Sequence, residues 1–471
     1  MEKSEVIKRN RQWFEKYWSY RMLFYSFFDF GILRHITYLA RGGKRNSETT
    51  NDIVIMADTE TSKEIPGEIC KNYIVAWTIS MRTYGMNIAT LYGTRPSELV
   101  DCINRLIMAM RGDKTIIYIH HMAYDWMFLR KFFLAAWGTP LHQLNTKPHY
   151  PVVIEFANGI VLKDSLILSQ RKLDKWAKDL DVEHKKASGA WDYDRIRHQG
   201  ERFDADERTY IEHDTLAGVE CIDKTKNTLG KRINSMPYTA TGIPREQVRK
   251  LASDRANRGR DLFKRIVPPF HVQQILEKCF HGGFTHANRH YAELVLRGRI
   301  EAYDEASAYP FVMLVEKYPM GRFAPFTDVK PQFILENSEE HAYIFKLILI
   351  KPRIKSEDVQ MPALQLSKCV KTINAVSDNG RILCAEYVEI YMNEVDLGVI
   401  MQQYDYDNSL CIEVYITGKD YLPKWYTDYV YECFREKTML KGGDPTSYSI
   451  AKGKLNSLRC MACACRGLSS R

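Results

Sequence analysis

Hydrophobic and polar positions along the first half of the chain predict strands and helices in alternation. The β-branched run in DIVIMADTE precedes acidic residues, and NYIVAWTISM (72–81) follows a turn that contains Pro and Gly, which together predict a β-hairpin. KTIIYIHH (114–121) predicts a buried strand that leads into the helical pattern AYDWMFLRKFFLAAW. Two more helices are predicted by RKLDKWAKDL (171–180) and DADERTYIEHDTLAGVECIDKT (204–225). We interpret residues 51–225 as one α/β domain with a mixed sheet.

The second half of the chain predicts an α+β region. The basic stretch 223–265 ends at VPPF, whose two prolines indicate a boundary. GRIEAYDEASAYPFVML (298–314) predicts a strand that breaks into a helix, and residues 315–425 alternate short β-rich runs with Pro and Gly. Helical patterns return in YTDYVYECFREKTMLKG (426–442) and AKGKLNSL (451–458). The predicted divisions are 1–50, 51–225, 226–295, 296–425 and 426–471.

The composition is that of a basic, globular protein. The 471 residues are 45% hydrophobic and carry a formal net charge of +9. Lys and Arg outnumber Asp and Glu by 10 to 5 in residues 1–50 and by 12 to 4 in residues 223–265, so both segments either face a polyanion or form solvated basic helices. The apolar run MLFYSFFDFGIL (22–33) is too short to span a bilayer. The 11 Cys are mostly isolated, which favours a reduced, cytoplasmic protein.

Four acidic residues at the ends of predicted elements form the first candidate site. Asp58 and Glu60 are two apart on one strand and share a face, Asp125 follows the next strand, and Asp214 lies on the long helix. Tyr210 precedes Asp214 by one helical turn on the same face. Carboxylates held together suit Mg²⁺, and two ions about 4 Å apart suit phosphodiester hydrolysis. Any one Asp taken alone is better interpreted as a helix cap or a surface residue than as a metal ligand. The set of four in this order favours a metal site.

In order and spacing, DTET, YD after a strand and Tyr-x-x-x-Asp resemble the three exonuclease motifs of family B DNA polymerases. The resemblance implies an RNase H-like 3′→5′ exonuclease domain in residues 51–225, with metal ligands at Asp58, Glu60, Asp125 and Asp214 and assistance from Tyr210. KDSL (163–166) resembles the single-strand-binding segment of the protein-primed branch. The DNA contacts implied by the resemblance are Thr61, His121, Tyr124, Ser165 and Leu166, and the branch's exonuclease lysine is assigned to Lys186, before WDYD. His121 stands where the second motif usually has Asn, and it retains the capacity to donate a hydrogen bond.

The second half contains segments that resemble the polymerase motifs of the same family. YDEASAYP (303–310) resembles the first motif, with Ala308 in place of Leu, which implies that Asp304 binds both catalytic metals and that Tyr309 excludes a 2′-hydroxyl. FHGGF (280–284) resembles the Tyr-x-Gly-Gly signature. It implies template contacts by Phe280, Gly282 and Gly283. AKGKLNSL resembles the second polymerase motif, and the nucleotide contacts it implies are Lys452 and Asn456, which are four apart on one helical face.

Two further patterns are interpreted as non-catalytic. YDYDNS (404–409) looks like the family's second palm carboxylate motif, but it precedes the Lys helix, whereas the family order places that motif afterwards. Asp405 and Asp407 are therefore predicted to lie in a loop between short strands. Cys460, Cys463 and Cys465 are one ligand short of a structural zinc site. The family pattern is lost from Arg459 onward, which predicts a chain truncated within the fingers by a frameshift or a shortened gene.

The expected fold class is α/β plus α+β, an RNase H-like exonuclease domain followed by a partial palm and fingers, with a branch-specific insertion in 315–400. The resemblance implies a protein-primed family B DNA polymerase of phage or mobile-element type that acts in DNA replication in a bacterial host cytoplasm. Implied cofactors are two Mg²⁺ per active site, with Mn²⁺ as an alternative. Implied partners are primer–template and single-stranded DNA, deoxynucleotides and a terminal protein primer, without a membrane. The alternatives are a stand-alone 3′→5′ exonuclease and a non-catalytic DNA-binding remnant.

Overall fold

The structure of the chain is a computed structural model. It describes residues 12–13, 15–40, 51–63, 72–110, 112–186, 191–192, 194–305, 307–327, 329–356 and 358–463. The chain divides into two compact units, residues 1–245 with 435–457 and residues 246–434 with 458–471. The side chains of Cys460 and Cys463, and all of Cys465, lie outside the described residues.

An eight-stranded mixed sheet forms the centre of the first unit. Its strands are β1 (Arg21–Phe24), β2 (Val54–Ser62), β3 (Tyr73–Thr83), β4 (Met86–Gly93), β5 (Thr115–Ile119), β6 (His142–Lys147), β7 (Tyr150–Glu155) and β8 (Ile160–Asp164). They lie in the order β1-β4-β3-β2-β5-β8-β7-β6. Strands β1 and β4, β2 and β5, and β5 and β8 pair in parallel, and the remaining pairs are antiparallel. The predicted hairpin is confirmed, with Asp58 of β2 opposite Thr78 of β3.

Helices pack on both faces of this sheet because its strands alternate apolar side chains between the faces. The helices of the first unit include α1 (Gly31–Ala40), α2 (Pro96–Ala109), α3 (Met122–Trp137), α4 (Ser165–Ser169), α5 (Leu173–Asp179) and α6 (Ala205–Thr228). Ile55 and Ile117 belong to a core with Leu99 of α2 and Leu129 of α3. Met56 and Tyr118, one residue further along their strands, belong to a second core that contains Trp176 of α5 and Ala217 of α6.

The N-terminal arm, residues 18–36, is joined to the far edge of the sheet. Strand β1 pairs with β4 from Arg21 opposite Ala89 to Phe24 opposite Tyr92. The Trp18 indole donates to the carbonyl of Ile88 at 2.8 Å. The Tyr20 hydroxyl lies 2.8 Å from Thr90 Oγ1 and also donates to the carboxylate of Glu212 on α6. The arm therefore contacts both the sheet and the helix that carries Asp214.

Three further helices run across the boundaries between the units: α7 (Gly242–Ser253), α13 (Lys424–Met439) and α14 (Pro445–Cys463). The other helices of the second unit are α8 (Gly259–Ile266), α9 (Phe270–Cys279), α10 (Ala308–Val315), α11 (Pro331–Glu336) and α12 (Glu394–Gln403). Its strands are β9 (Lys317–Pro319), β10 (Ala324–Phe326), β11 (His341–Ile350), β12 (Arg353–Ile354), β13 (Cys369–Ile373), β14 (Val376–Asp378), β15 (Arg381–Cys384), β16 (Tyr387–Asn393), β17 (Tyr404–Asp405) and β18 (Asn408–Tyr421).

Antiparallel pairing dominates the second unit. One sheet has the order β10-β18-β11-β16-β13, with β9 also paired to β18, and a smaller sheet has the order β14-β15-β12-β17. The larger sheet packs apolar side chains such as Phe345, Leu347 and Val388 into a core with Leu397 of α12. The α+β class predicted for this region is confirmed.

The strand predicted at the start of 298–314 is wrong. Gly298–Glu305 has no regular secondary structure, and the chain becomes helical only at Ala308, in α10. Ile300 and Tyr303, the apolar residues that made the pattern strand-like, are 73% and 88% exposed. A strand requires a neighbour to pair with and a face to bury, and the described residues give this segment neither.

Candidate functional site

Strand β2 and helix α6 bring three carboxylates together. Asp58 and Glu60 project from the face of β2 that α6 covers. A Cβ at Gly218 of α6 would lie 1.8 Å from the Sδ of Met56, so the absence of a side chain lets the helix approach the strand closely. Asp214 lies one turn before Gly218. One carboxylate oxygen from each of Asp58, Glu60 and Asp214 lies within 4.8 Å of the other two.

Lys186 supplies a positive charge beside this group. Its Nζ lies 2.7 Å from Oδ2 of Asp214 and 5.5 Å from the centre of the Tyr210 ring. Tyr210 itself is buried and stacks on Trp191 with ring centres 5.8 Å apart. Tyr210 and Asp214 thus share one face of α6 and contact the same lysine.

The fourth acid, Asp125, is held separately at the start of α3. It is 3% exposed, and its Oδ1 accepts a hydrogen bond of 2.6 Å from the Thr59 hydroxyl. Thr59 lies between Asp58 and Glu60 on β2, with its side chain on the opposite face from theirs. Asp125 lies outside the group of three, yet its charge is among those that act on Asp58.

Burial disfavours the ionised forms of all four acids, and repulsion from neighbouring carboxylates adds to this effect for Asp58 and Glu60. Burial, followed by the nearby charges of Asp125, Glu60 and Asp214, holds the pKa of Asp58 well above its usual value. Burial and the charge of Asp214 raise the pKa of Glu60 to about 8. The pKa of Asp125 rises to about 7 because of burial, and burial also raises the pKa of Asp214, against the opposing effect of Lys186.

These properties fit a divalent cation. Four acids face one lysine, so ionising them all leaves an excess of negative charge in a site where burial penalises charge. Oδ1 of Asp214 is buried and has no hydrogen-bond partner in the described part of the chain. Clustered carboxylate oxygens are the donors that Mg²⁺ prefers.

The residues assigned to the primer end lie beside the acids on the same elements. The hydroxyls of Thr61, on β2, and Tyr124, on α3, are 2.8 Å apart, and Tyr124 is 42% exposed. His121 precedes α3 in the left-handed conformation with φ 67°. Because this conformation is costly for a residue with a Cβ, something must hold the turn in place.

That role belongs to Asp164, which sequence reasoning missed. Its carboxylate accepts hydrogen bonds from the backbone N–H groups of His121 at 3.2 Å, Met122 at 3.1 Å and Leu166 at 2.7 Å. It therefore caps α4 and secures the turn before α3. Asp at the end of a strand and directly before a helical run is an N-cap signal that was present in KDSL.

The two residues after Asp164 differ in exposure. Ser165 is fully buried, and its hydroxyl lies 3.0 Å from Nδ1 of His120. Leu166 is half-buried. Of these two, only Leu166 has a side chain open to a DNA strand in this structure.

The residues assigned to polymerisation have open surroundings. In the second unit, Asp304 is exposed in the irregular segment before α10, and Tyr309 is 50% exposed in the first turn of that helix. Phe280 is 55% exposed, and a Cβ at Gly283 would lie 3.8 Å from the Tyr309 hydroxyl. Gly282 has open space around its Cα.

Lys452 and Asn456 are exposed on α14, one turn apart. The opposite face of the same helix buries Ala451, Leu455 and Leu458. The helix therefore presents the lysine and the asparagine together, as their spacing predicts.

A comparison of sequences identifies the family. The sequence profile described as "DNA polymerase type B, organellar and viral" matches residues 193–459, more than half of the chain. The chain belongs to this family. The match includes Tyr210, Asp214, Asp304, Tyr309 and the α14 pair.

Two phage relatives agree with membership in the type B polymerases. The DNA polymerases of Bacillus phage Nf and Bacillus phage M2 are each 24% identical to the chain over an alignment of 370 residues, which covers 73% of this chain. The alignment covers 60% of each relative, so the chain spans less than two thirds of their length.

Solved structures show the same fold. Phi29 DNA polymerase complexed with primer-template DNA has a TM-score of 0.63 at 17% identity, covering 86% of this chain and 67% of that one. Its complex with single-stranded DNA has a TM-score of 0.62 at 17% identity, covering 86% and 66%. The expected fold class, α/β plus α+β, is thereby confirmed for this member of the type B family.

The two aspartates of YDYDNS lie in and beside the small sheet: the predicted loop position is confirmed for Asp407, whereas Asp405 lies in a strand. Asp407 lies 3.1 Å from Lys351 and 3.8 Å from Arg353, both by N···O distance, in the connection between β17 and β18. Asp405 ends β17 and pairs with Arg353 across the small sheet. Among the helices described, none has the length and apolarity needed to cross a bilayer.

Proposed function

We propose that the first unit is a 3′→5′ exonuclease that removes nucleotides from the end of a single DNA strand. The observation that carries the proposal is the group of Asp58, Glu60 and Asp214, with carboxylate oxygens within 4.8 Å of one another. The buried Asp214 oxygen that has no protein partner among the described residues supports a cation there. The fold shared with phi29 DNA polymerase agrees with this assignment.

In this proposal Asp58, Glu60 and Asp214 hold Mg²⁺, or Mn²⁺ in its place, and Asp125 completes the set for a second ion. Two such ions activate water and stabilise the negative charge that develops during phosphodiester cleavage. Lys186 neutralises part of the charge on Asp214 and fixes the orientation of its carboxylate. Tyr210 packs beneath Lys186 and keeps the ammonium over the site.

The strand end is bound by the neighbouring residues of β2, α3 and α4. The paired hydroxyls of Thr61 and Tyr124 face solvent and offer hydrogen bonds to the terminal nucleotide. Leu166 offers apolar contact to a base, and His121 offers its imidazole to the sugar or phosphate. Ser165 acts indirectly by orienting His120.

The test uses the full chain, Mg²⁺ and a 5′-labelled single strand, and follows the length of the strand. Asp58→Asn removes the negative charge with little change in shape, and we expect shortening to slow by roughly 10³-fold or more. Asp304→Asn is the matched control and is expected to shorten the strand at the native rate. Equal rates for native and Asp58→Asn chains would refute the proposal.

DNA polymerisation is the second candidate, and the family match over residues 193–459 favours it. In this candidate Asp304 binds the catalytic ions, Tyr309 excludes a 2′-hydroxyl, and Lys452 and Asn456 bind the triphosphate and the base. Phe280, Gly282 and Gly283 contact the template. A terminal protein would serve as primer in phage DNA replication. Primer lengthening that requires deoxynucleotides and is lost in Lys452→Ala would support this candidate, and its absence at all nucleotide concentrations would remove it for this chain.

A further inference from the structure

A buried lysine lies on the same face of the eight-stranded sheet as the metal-binding acids. Lys163 of β8 is 4% exposed, and it pairs across the sheet with Tyr118 of β5. Its Nζ lies 5.9 Å from the centre of the Tyr118 ring and 5.1 Å from the centre of the Tyr238 ring. We name Lys163, Tyr118 and Tyr238 together the Lys163 pocket.

The polar groups of the Lys163 pocket lack acceptors. The Tyr118 hydroxyl is buried and makes no hydrogen bond within the described residues. No hydrogen bond or ion pair to Lys163 Nζ is found in the same part of the chain. The carboxylate of Glu155 on the adjacent strand, β7, is already paired with Lys114 at 2.6 Å.

The energetic balance disfavours the charged form of Lys163. Two aromatic faces contribute about 1–2 kcal/mol to a desolvated cation, whereas burying an ammonium costs several kcal/mol. Burial accordingly lowers the pKa of Lys163 to about 8. Burial also raises the pKa of Tyr118, with a further contribution from the neighbouring Tyr238 phenol. Both shifts follow chiefly from burial, and the charge of Glu155 partly opposes the shift of Lys163.

We propose that the Lys163 pocket binds an oxyanion of the phosphate class. The Lys163 ammonium and the unpaired Tyr118 hydroxyl are hydrogen-bond donors on adjacent strands, and the nearby carboxylate of Glu155 is held by Lys114. A tetrahedral oxyanion presents an acceptor to each donor. Tyr238 is 44% exposed and lies over the buried pair, so the pocket opens to solvent beside its ring. The ligand enters past Tyr238 and accepts from Lys163 and Tyr118.

The position of the pocket suggests the source of the phosphate. Strand β8 lies two strands from β2 in the sheet, so the axes of the strands that carry Lys163 and Asp58 are roughly 10 Å apart. That separation is one to two nucleotides along a single strand. The phosphate is either in the backbone of the bound DNA or on the released mononucleotide, and this identification rests on the proposed exonuclease function.

The first experiment measures binding of inorganic phosphate to the full chain by calorimetry in EDTA, where no hydrolysis takes place. Lys163→Met keeps the length of the side chain and removes its charge, and we expect at least tenfold weaker binding. Tyr118→Phe removes only the hydroxyl, and we expect about threefold weaker binding. Lys175→Met removes an exposed lysine from α5 and is expected to bind like the native chain.

Two further ligands separate the sources. If the site holds backbone phosphate, Lys163→Met weakens single-stranded oligonucleotide binding and lowers its salt dependence by about one ion, with little effect on dAMP. If it holds the product, the effect falls on dAMP. Native-like phosphate binding by both variants, or no binding by the native chain, overturns the proposal. Asp58→Asn binds phosphate normally even if the exonuclease proposal fails, so the two outcomes are distinguishable.

Discussion

The acids of the first unit and Asp304 of the second have opposite surroundings, although both were singled out as metal ligands. Asp58 lies in a nine-residue strand with a partner on either side, and Asp125 and Asp214 are at most 3% exposed. Asp304 is exposed in a segment without strand pairing. The first set is fixed by the sheet and α6, whereas the described residues do not build a comparable frame around Asp304.

The difference shows that the acids of a motif have perturbed pKa values only when the fold buries them or brings them close together. Burial raises the pKa of each acid in the first set, and proximity raises the pKa of Asp58 and Glu60 further. Such perturbed groups are typical of functional sites. An exposed aspartate keeps its hydration and gains nothing from its position alone.

After the acids themselves, the largest effect is expected for Lys186. Lys186→Met removes the charge that lies 2.7 Å from Asp214, so the carboxylate loses its orientation and the site gains net negative charge. We expect the kcat for strand shortening to fall by about 10²-fold with a small change in KM. Single-turnover kinetics with saturating strand measure the effect.

The neighbouring Lys185→Met is the matched control. Lys185 donates to the backbone carbonyls of Ala177 and Val182 and lies 3.2 Å from Asp181, away from the acids. A rate near that of the native chain is expected. If both variants lost activity equally, a general effect of positive charge would replace the specific role of Lys186.

The second effect is on stability as a function of pH. Glu60 has a pKa of about 8 and Asp125 of about 7 when folded, against about 4 when unfolded, so the folded chain binds protons more tightly. Their stabilising effect is complete below about pH 4 and is lost as the pH rises to 8. We expect the metal-free chain to lose several kcal/mol of unfolding free energy between pH 5 and 8, since each unit of pKa shift corresponds to about 1.4 kcal/mol.

Mg²⁺ is expected to restore this loss at pH 8, because a cation stabilises the ionised acids of the folded state. Thermal unfolding in EDTA and in Mg²⁺ measures both effects. The double variant Asp58→Asn, Glu60→Gln should show a flatter pH profile and no recovery with Mg²⁺. A metal-free chain that becomes more stable from pH 5 to 8 would contradict the assignment of raised pKa values to these buried carboxylates.

The third effect concerns Asp164. Asp164→Asn replaces one acceptor oxygen with a donor, so at least one of three backbone N–H groups loses its partner. We expect a loss of about 2 kcal/mol in urea unfolding, with strand shortening impaired because the turn at His121 is released. Asp174→Asn, which removes an exposed pair with Lys178, should change stability by less than about 0.5 kcal/mol. Equal losses would show that Asp164 is an ordinary surface acid.

The smallest effect is expected for Asp304. Asp304→Ala removes an exposed side chain, and we expect the unfolding free energy to change by less than about 0.5 kcal/mol. Asp125→Ala removes a buried carboxylate that accepts a hydrogen bond from Thr59, and it should change the unfolding free energy by more than Asp304→Ala in the same assay. A large shift for Asp304→Ala would mean that its segment has a supporting frame, and the contrast between the two regions would fail.

Local patterns in the sequence predicted the parts of the fold that depend on local signals. The hairpin of β2 and β3 follows from period-two alternation, and α6 follows from Asp204 and Glu207, which form a reciprocal capping box. The acids of the site were found because they terminate these elements. The close approach of α6 at Gly218 was not visible, since it depends on Met56 from a distant strand.

Other features depended on partners that sequence alone does not specify. Strand β1 is four residues long and pairs with β4, more than 60 residues away, so its pattern gave no signal. Residues 298–305 show the opposite case. Their pattern is typical of a strand, but the described residues contain no strand beside them with which they could pair. Asp164 has an N-cap signal in the sequence, but the family resemblance implies roles only for Ser165 and Leu166 in the same motif.

The N-terminal arm constrains the order in which the first unit can form. Arg21 pairs with Ala89 and Tyr20 donates to Glu212, so these residues find their final partners only after the strand and then the helix have been synthesised. Contacts this distant in sequence form late and slow folding. The arm is therefore expected to be among the last parts of the first unit to gain protection from hydrogen exchange during refolding, and among the first to lose it when α6 loosens.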